Sequence, residues 1–427
     1  MRLRIQNFAK VKEADIILDG ITIIAGKNDT GKSTIGKVLD SMYNSVNNLG
    51  AKMKNAKKLR LQNTVSQLMN YTEFSVHISF AMITEVVERV LEAKDTDSEK
   101  RVLEVFLDSI PNKQSRIERS MLIKELFDKI AEIKAIPDEV FTKVIISNYF
   151  NEIFNGNINN TEHSDTVAEI EIEIKAGKNS IQFQNDTCVD FHFEYNPVSS
   201  SFYLDNPMLI DKLNDTDVIR ISGKYPSEQE YHLFNSLMGI EISMEERAIN
   251  EIINQERLDE VFGLLDRVIP GEITYNQKYE YKTQKGKKGI DIRSMSTGLK
   301  SFAIIKRLIM NGSLNAKDAI VLDEPEIHLH PEWQMVYAEL IVALQEKFDL
   351  NFIINTHSSH FLETLDFYAE KYGRKGICHY YLSKESEGVC SFEEVTDTPE
   401  KIYKQLVDPS LLLAKEKEMW EEEHEPV

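Results

Sequence analysis

The chain has 427 residues, with 50 Lys and Arg against 70 Asp and Glu and a formal net charge of −20. That length can bury a full core in two or three lobes, and the charge excludes a surface that coats nucleic acid indiscriminately. The three cysteines, Cys188, Cys378 and Cys390, form no C-x-x-C pair, which argues against a disulfide framework or a zinc site and for a reducing cytoplasm.

Met1-Arg2-Leu3-Arg4-Ile5-Gln6 is not a signal peptide, and no apolar run is long enough to span a membrane. Phe8 is equally suited to the core and to stacking on a base. Ile21-Thr22-Ile23-Ile24 is a β-branched run suited to a buried strand. It leads into Gly26, Lys27, Asn28, Asp29, Thr30, Gly31, Lys32 and Ser33, the G-x-x-x-x-G-K-[ST] pattern of a phosphate-binding loop. Thr34 follows, and Ile35, Val38, Leu39 and Met42 then mark one face of a helix. A strand, a glycine-rich turn and a helix N-terminus make an anion site, because backbone N–H groups and the helix dipole both favour phosphate. In this pattern Lys32 reaches the β- and γ-phosphates of a nucleoside triphosphate and Ser33 ligates magnesium.

Residues from about 50 to 150 read as helical, most clearly where Leu122, Leu126, Ile130 and Ile133 share a face ahead of Pro137. Lys52, Lys54, Lys57, Lys58 and Arg60 form a basic cluster there, and Lys282, Lys285, Lys287 and Lys288 form another. Each fits a solvated face or turn better than a nucleic-acid contact. From Val167 the period changes to two, through Ile170, Ile172, Ile174, Ile181, Phe183, Phe191 and Phe193, and predicts antiparallel strands. Residues 226–268 return to helix.

Ser294-Met295-Ser296-Thr297-Gly298-Leu299-Lys300 precedes a helix carrying Phe302, Ile305 and Leu308. The strand Ala319-Ile320-Val321-Leu322 then ends in Asp323 and Glu324. Two carboxylates at a strand end suit triphosphate hydrolysis, with Asp323 supporting magnesium and Glu324 orienting or deprotonating the attacking water. A helix over about 332–347 and a strand over 351–355 complete a parallel βαβ unit, delivering His357 to the same sheet edge. His328 and His330 share a spacing that a metal pair could use, but a structural loop role is favoured. The stretch Glu421-Glu422-Glu423-His424-Glu425 makes the end of the chain acidic.

The boundaries expected on this basis are a head split between residues 1–45 and 291–397, a helical insertion over 46–165 and antiparallel strands over 166–225. A helical arm follows over 226–290, and a tail over 398–427.

The order of these motifs resembles the ABC-type ATPase heads, and most closely the RecF, SMC and OLD-like branch. That branch carries D-E-P-E-x-x-L-H-P, which residues 323–331 match in full. The resemblance implies an α/β fold, an ABC-type head with a mixed sheet, a P-loop βαβ core, an antiparallel β subdomain and a helical insertion. It also implies ATP and Mg2+ as cofactors, Glu324 as catalytic carboxylate and His357 as the switch histidine sensing the γ-phosphate. Ser296, Thr297, Gly298 and Lys300 become the signature segment, reaching the nucleotide of a second subunit in a homodimer with composite sites, or in a higher oligomer. The magnesium-ligating glutamine has no secure counterpart; Gln182, Gln184 or the segment 202–207 are candidates.

Many OLD-like proteins carry a C-terminal Toprim nuclease with a D-x-D pair. The 70 residues after His357 are too few for it, and Asp95-Thr96-Asp97 and Asp215-Thr216-Asp217 lie in polar loop context. A head of this kind with such a tail resembles the PtuA-type ATPases of Septu antiphage systems. That resemblance implies a separately encoded HNH-type nuclease partner, with nucleic acid met through the partner or the local basic clusters. The alternatives are a RecF-like DNA-repair ATPase and a non-hydrolysing scaffold that ATP locks together.

Overall fold

Runs of β-branched and aromatic residues build the centre of one large sheet. The computed structural model describes residues 1–71, 78–110, 116–159, 166–195, 200–214, 227–239, 259–283 and 288–423. Contacts divide the chain into two compact units, Met1–Asn47 with Ser147–Val427, and Asn48–Ile146.

In the first unit the chain runs through β1 (Arg2–Phe8), β2 (Val11–Ile17), β3 (Ile21–Gly26) and helix α1 (Lys32–Asn44). It re-enters along helix α6 (Asp138–Phe154), then forms β4 (Ala168–Ile174), β5 (Gly177–Gln184), β6 (Thr187–Phe193), β7 (Ser201–Leu204) and helix α7 (Glu228–Met238). Strands β8 (Gly271–Asn276), β9 (Lys278–Thr283) and β10 (Ile290–Asp291) make a separate antiparallel sheet. Helix α8 (Thr297–Met310), β11 (Ala319–Asp323), helix α9 (Pro331–Phe348), β12 (Asn351–Thr356) and helix α10 (Ser359–Lys371) follow. The last elements are β13 (Cys378–Ser386), β14 (Val389–Glu394) and helix α11 (Glu400–Glu423).

Eleven strands share one sheet in the order β6-β5-β4-β1-β2-β14-β13-β3-β12-β11-β7. From β13 to β7 neighbouring strands are parallel, while β2, β1, β4, β5 and β6 pair antiparallel. The parallel half is covered on both faces, so β3 and β12 are buried at every position. The antiparallel half alternates, with Leu3, Ile5 and Phe8 of β1 turned inward. The expected α/β class therefore holds. Strands β4, β5 and β6 continue the sheet that carries β3, as expected for antiparallel strands of the head, and β8–β10 add the small separate antiparallel sheet.

Phe8 is fully buried, edge-on to Phe150, Phe154 and Phe183; it belongs to the core and is no platform for a base. Within the segment read as a helical arm, residues 228–238 and 259–268 are helical, but residues 271–283 form the β8–β9 hairpin. Ile273, Tyr275, Tyr279 and Tyr281 give that stretch a period of two, and Gln277 takes a positive φ of 62° at the turn. The tail is largely helix α11, anchored by Ile402, which is fully buried, and by Tyr403 and Leu406.

The second unit is helical: α2 (Leu49–Tyr71), α3 (Phe80–Glu92), α4 (Thr96–Ser109), α5 (Arg116–Lys134) and the start of α6. Leu122, Leu126, Ile130 and Ile133 are buried together with Leu61, Val65, Ile83, Val87 and Leu103. Asp95 caps α4, accepting from the Ser98 N–H at 2.7 Å, so the Asp95-Thr96-Asp97 pair belongs to a helix start. In the basic cluster Lys57 pairs with Asp138 at 2.7 Å and Lys58 pairs with Glu88, as a charged helix face would.

Among the described residues no helix is long and apolar enough to cross a membrane. Residues 215–217 and 240–258, Lys285, Lys287, His424 and Glu425 lie outside the described residues.

Candidate nucleotide site

Parallel strands β3, β12 and β11 lie side by side, so their carboxyl ends bring the phosphate loop, His357 and Asp323 to one edge of the sheet. The loop leaves β3 at Gly26 and enters α1 through Gly31, whose φ of 79° is left-handed; a residue with a Cβ is strained there. Lys27, Asn28 and Asp29 are exposed, and Asp29 is paired with Lys10. Thr30 is buried, donating to the Lys27 carbonyl at 2.8 Å and sharing a 2.6 Å contact with the Ser383 hydroxyl of β13.

Lys32 folds back over the loop and donates to the carbonyls of Gly26 at 3.1 Å and Lys27 at 2.7 Å. Burial lowers its pKa, and the charges of Glu324, Asp323 and Glu326 oppose that shift. The field of these three carboxylates on Lys32 joins motifs nearly three hundred residues apart. Ser33 and Thr34, in the first turn of α1, are half-buried.

Both oxygens of Asp323 are engaged. Asn355 Nδ2 donates to Oδ1 at 3.0 Å, and the Tyr203 hydroxyl donates to Oδ2 at 2.5 Å. Burial, then the Asp323 charge, raises the pKa of Tyr203 well above its ordinary value, so the phenol stays protonated and remains the donor. Glu324 has a φ of 51°, uncommon for a residue with a side chain, and its N–H is held by the Asn355 carbonyl at 2.9 Å. Its Oε1 lies 3.1 Å from His357 Nδ1. Glu326 is buried beneath this pair: its Oε1 accepts from Thr356 Oγ1 at 2.5 Å and from the His357 N–H at 3.4 Å. Burial raises the Glu326 pKa.

The structure also sorts the remaining candidates. Gln182 and Gln184 lie on β5, in the antiparallel half of the sheet, where Gln182 donates to Glu169. Of the three candidates it is the 202–207 segment that borders Asp323. Strand β7 pairs with β11, and Asp205, Asn206 and Pro207 line a cavity with Asp323, Glu324 and His328. His330 caps α9, its Nδ1 accepting from the Glu332 N–H at 3.4 Å. Among the described residues no group of three or more His, Cys, Asp or Glu could hold a metal. A magnesium ion held mainly by substrate phosphates needs no such cage, and the Ser33 hydroxyl with the free lone pairs of Asp323 fits that donor set.

Ser296 is exposed at the N-cap of α8 and its hydroxyl makes no capping bond, Thr297 is half-buried, and Gly298 lies against the His328 carbonyl. Lys300 departs from the expectation. It is 1% exposed, and its ammonium binds Asp211 at 2.8 Å and the Arg293 carbonyl at 3.3 Å. Its position on the buried face of α8 turns it into its own chain rather than outward. Tyr203, Asn355, Glu326 and Ser383 are additions. The sequence gives the acid segment and the 202–207 stretch, but no signal that Tyr203 and Asp323 pair across 120 positions.

Residues 1–362 match the AAA_15 family, an AAA ATPase domain. The chain belongs to that family. The AAA ATPase domain match spans the loop, the acidic strand and His357 together. The comparison with curated proteins returned no match. Among solved structures, the SMC head domain from Thermotoga maritima is similar at 12% identity over 92% of this chain and 98% of that one, with a TM-score of 0.35. The Smc head domain with an extended coiled coil, bound to the C-terminal domain of ScpA derived from Pyrococcus furiosus, gives 13%, 95%, 98% and 0.37. An ATP-binding cassette of an ABC transporter in its ADP conformation gives 12%, 96%, 97% and 0.34. These scores are low, and the functional reading of this ATPase domain rests on the family match and on the site itself.

Proposed function

We propose that the chain hydrolyses ATP at a site shared between two copies and that this cycle controls a separately encoded HNH-type nuclease in antiphage defence. The observation that carries the hydrolysis reading is the meeting of Lys32, Asp323, Glu324 and His357 at one sheet edge. Lys32 exchanges its two carbonyl partners for β- and γ-phosphate oxygens, and the loop N–H groups of residues 27–34 bind the rest of the triphosphate. Ser33 and Asp323 hold Mg2+, which when bound neutralises charge on the phosphates. Glu324 accepts the proton of the attacking water, positioned by its backbone turn and its contact with His357. His357 then reports the γ-phosphate, because the imidazole can hydrogen-bond either Glu324 or a phosphate oxygen.

Ser296, whose hydroxyl makes no capping bond at the α8 N-terminus, suits the nucleotide of a second copy. Thr297 and Gly298 accompany it; Lys300 anchors α8 to Asp211. The defence role and the nuclease partner rest on the resemblance of head and tail to PtuA-type ATPases. The test is a pull-down with the tagged full-length chain from its native cells, followed by sequencing of the neighbouring gene. An HNH nuclease that co-purifies, and leaves when residues after Pro409 are deleted, supports the reading. Purified wild-type chain that cleaves DNA unaided, against a nuclease-free control, contradicts this division of labour.

A further inference from the structure

The phosphate loop explains how phosphates are held but not where the nucleoside goes. Strand β3 has β12 and β11, with their acid and histidine groups, on one side and β13 on the other. A triphosphate whose γ end meets Glu324 and His357 must therefore extend its nucleoside toward β13. There an open cleft of about 720 Å3 lies beside the loop. Residues 27–30 form one wall, and Lys384 and Glu385 at the end of β13 form another. The third wall is helix α11, through Lys401, Lys404 and Gln405.

The charges in this cleft are not equivalent. Lys384 and Lys401 both pair with Glu393, Lys401 at 2.7 Å. Lys27 and Lys404 have no side-chain hydrogen bond or ion pair among the described residues. Gln405 adds a neutral amide that both donates and accepts, which suits a base edge or ribose hydroxyls. Helix α11, which carries Lys401, Lys404 and Gln405, is seated on the head by Ile402, Tyr403 and Leu406.

We infer that this cleft seats the nucleoside of ATP and that the first turns of α11 are a nucleotide-sensing element. This rests on the ATP reading above and adds its regulation: bound nucleoside holds the start of α11 against the head. By linkage, a partner that binds the far half of α11 and shifts its start changes ATP affinity by the factor that ATP changes the partner's.

The test compares ATP, ADP and inorganic tripolyphosphate, each with magnesium, by calorimetry on the full chain. The double variant Lys404→Ala, Gln405→Ala should bind ATP and ADP roughly tenfold more weakly, as expected for losing one or two hydrogen bonds. Its affinity for tripolyphosphate should be unchanged, which also shows that it folds. In the wild type, hydrogen exchange over residues 400–406 should slow with ATP and ADP but not with tripolyphosphate. Wild-type ATP affinity in the double variant overturns this inference alone. So does an equal loss for tripolyphosphate, or equal protection by it, because the cleft would then be a plain anion site. A wild-type chain that binds neither ATP nor tripolyphosphate overturns the loop reading as well.

Discussion

Single residues here carry charge into places where water is scarce, and their partners decide the outcome. Burial lowers the pKa of Lys32, while the field of three carboxylates opposes that shift and two loop carbonyls accept from its ammonium. Glu324 sits in a left-handed backbone conformation, of the order of 1–3 kcal/mol of local strain, at the residue proposed to take the proton. Asp40, on α1, is a different case. It is fully buried, with one oxygen accepting from Asn44 at 2.9 Å, and burial pushes its pKa up to about 7. An unfolded chain gives up that proton near pH 4. Between about pH 4 and 7 the folded state therefore binds more protons, and stability falls as the pH rises. Asp40→Asn should flatten that fall and raise Tm at about pH 8, measured by thermal unfolding across the range. An unchanged pH slope would contradict the assignment.

Elements assemble through close approaches that a sequence marks only in part. Helix α1 packs on β11 so tightly that a Cβ added at Gly36 would sit 2.4 Å from Val321 Cγ1. Gly36→Ala should destabilise the head by about 1–3 kcal/mol in urea unfolding. Gly50→Ala is the control, since nothing lies within 4 Å of its added carbon, and it should not destabilise. Equal effects at the two sites would sink the packing argument. The loop, the βαβ unit at 319–356 and the alternation at 168–174 were legible because each is a local pattern with a helix or strand period. Local pattern does not predict strands β1, β2, β13 and β14. Their partners are distant in sequence, as where Cys378 of β13 lies opposite Ile21 of β3. Lys300 differs from the sequence expectation for the same reason: its position close to Ser296 is local, whereas Asp211, which holds it, is 89 residues away. The β8–β9 hairpin differs from the expected helical arm although its tyrosines alternate, because the stretch before it, 259–268, is helical.

At the scale of the whole molecule, the proposed assembly is a two-fold pair in which each copy completes the other's site. An interface of this kind closes on itself and leaves other surfaces for a larger oligomer. Lys32→Ala removes the phosphate cation and Ser296→Arg blocks the donated helix terminus, so each variant alone should be inactive. Mixed in equal amounts, hetero-pairs keep one intact site and part of the ATPase rate should return; a mixture as inactive as its components argues that each copy works alone. The most direct test of the central claim is ATP turnover by Glu324→Gln beside the wild type, at saturating ATP and magnesium, with binding measured on the same samples. The substitution keeps the shape of the side chain and removes its basicity. The variant should bind ATP as the wild type does and hydrolyse it at least roughly a hundredfold more slowly, while Lys32→Ala should bind none. Hydrolysis by Glu324→Gln at the wild-type rate, or a wild type that binds ATP without turning it over, would contradict the account.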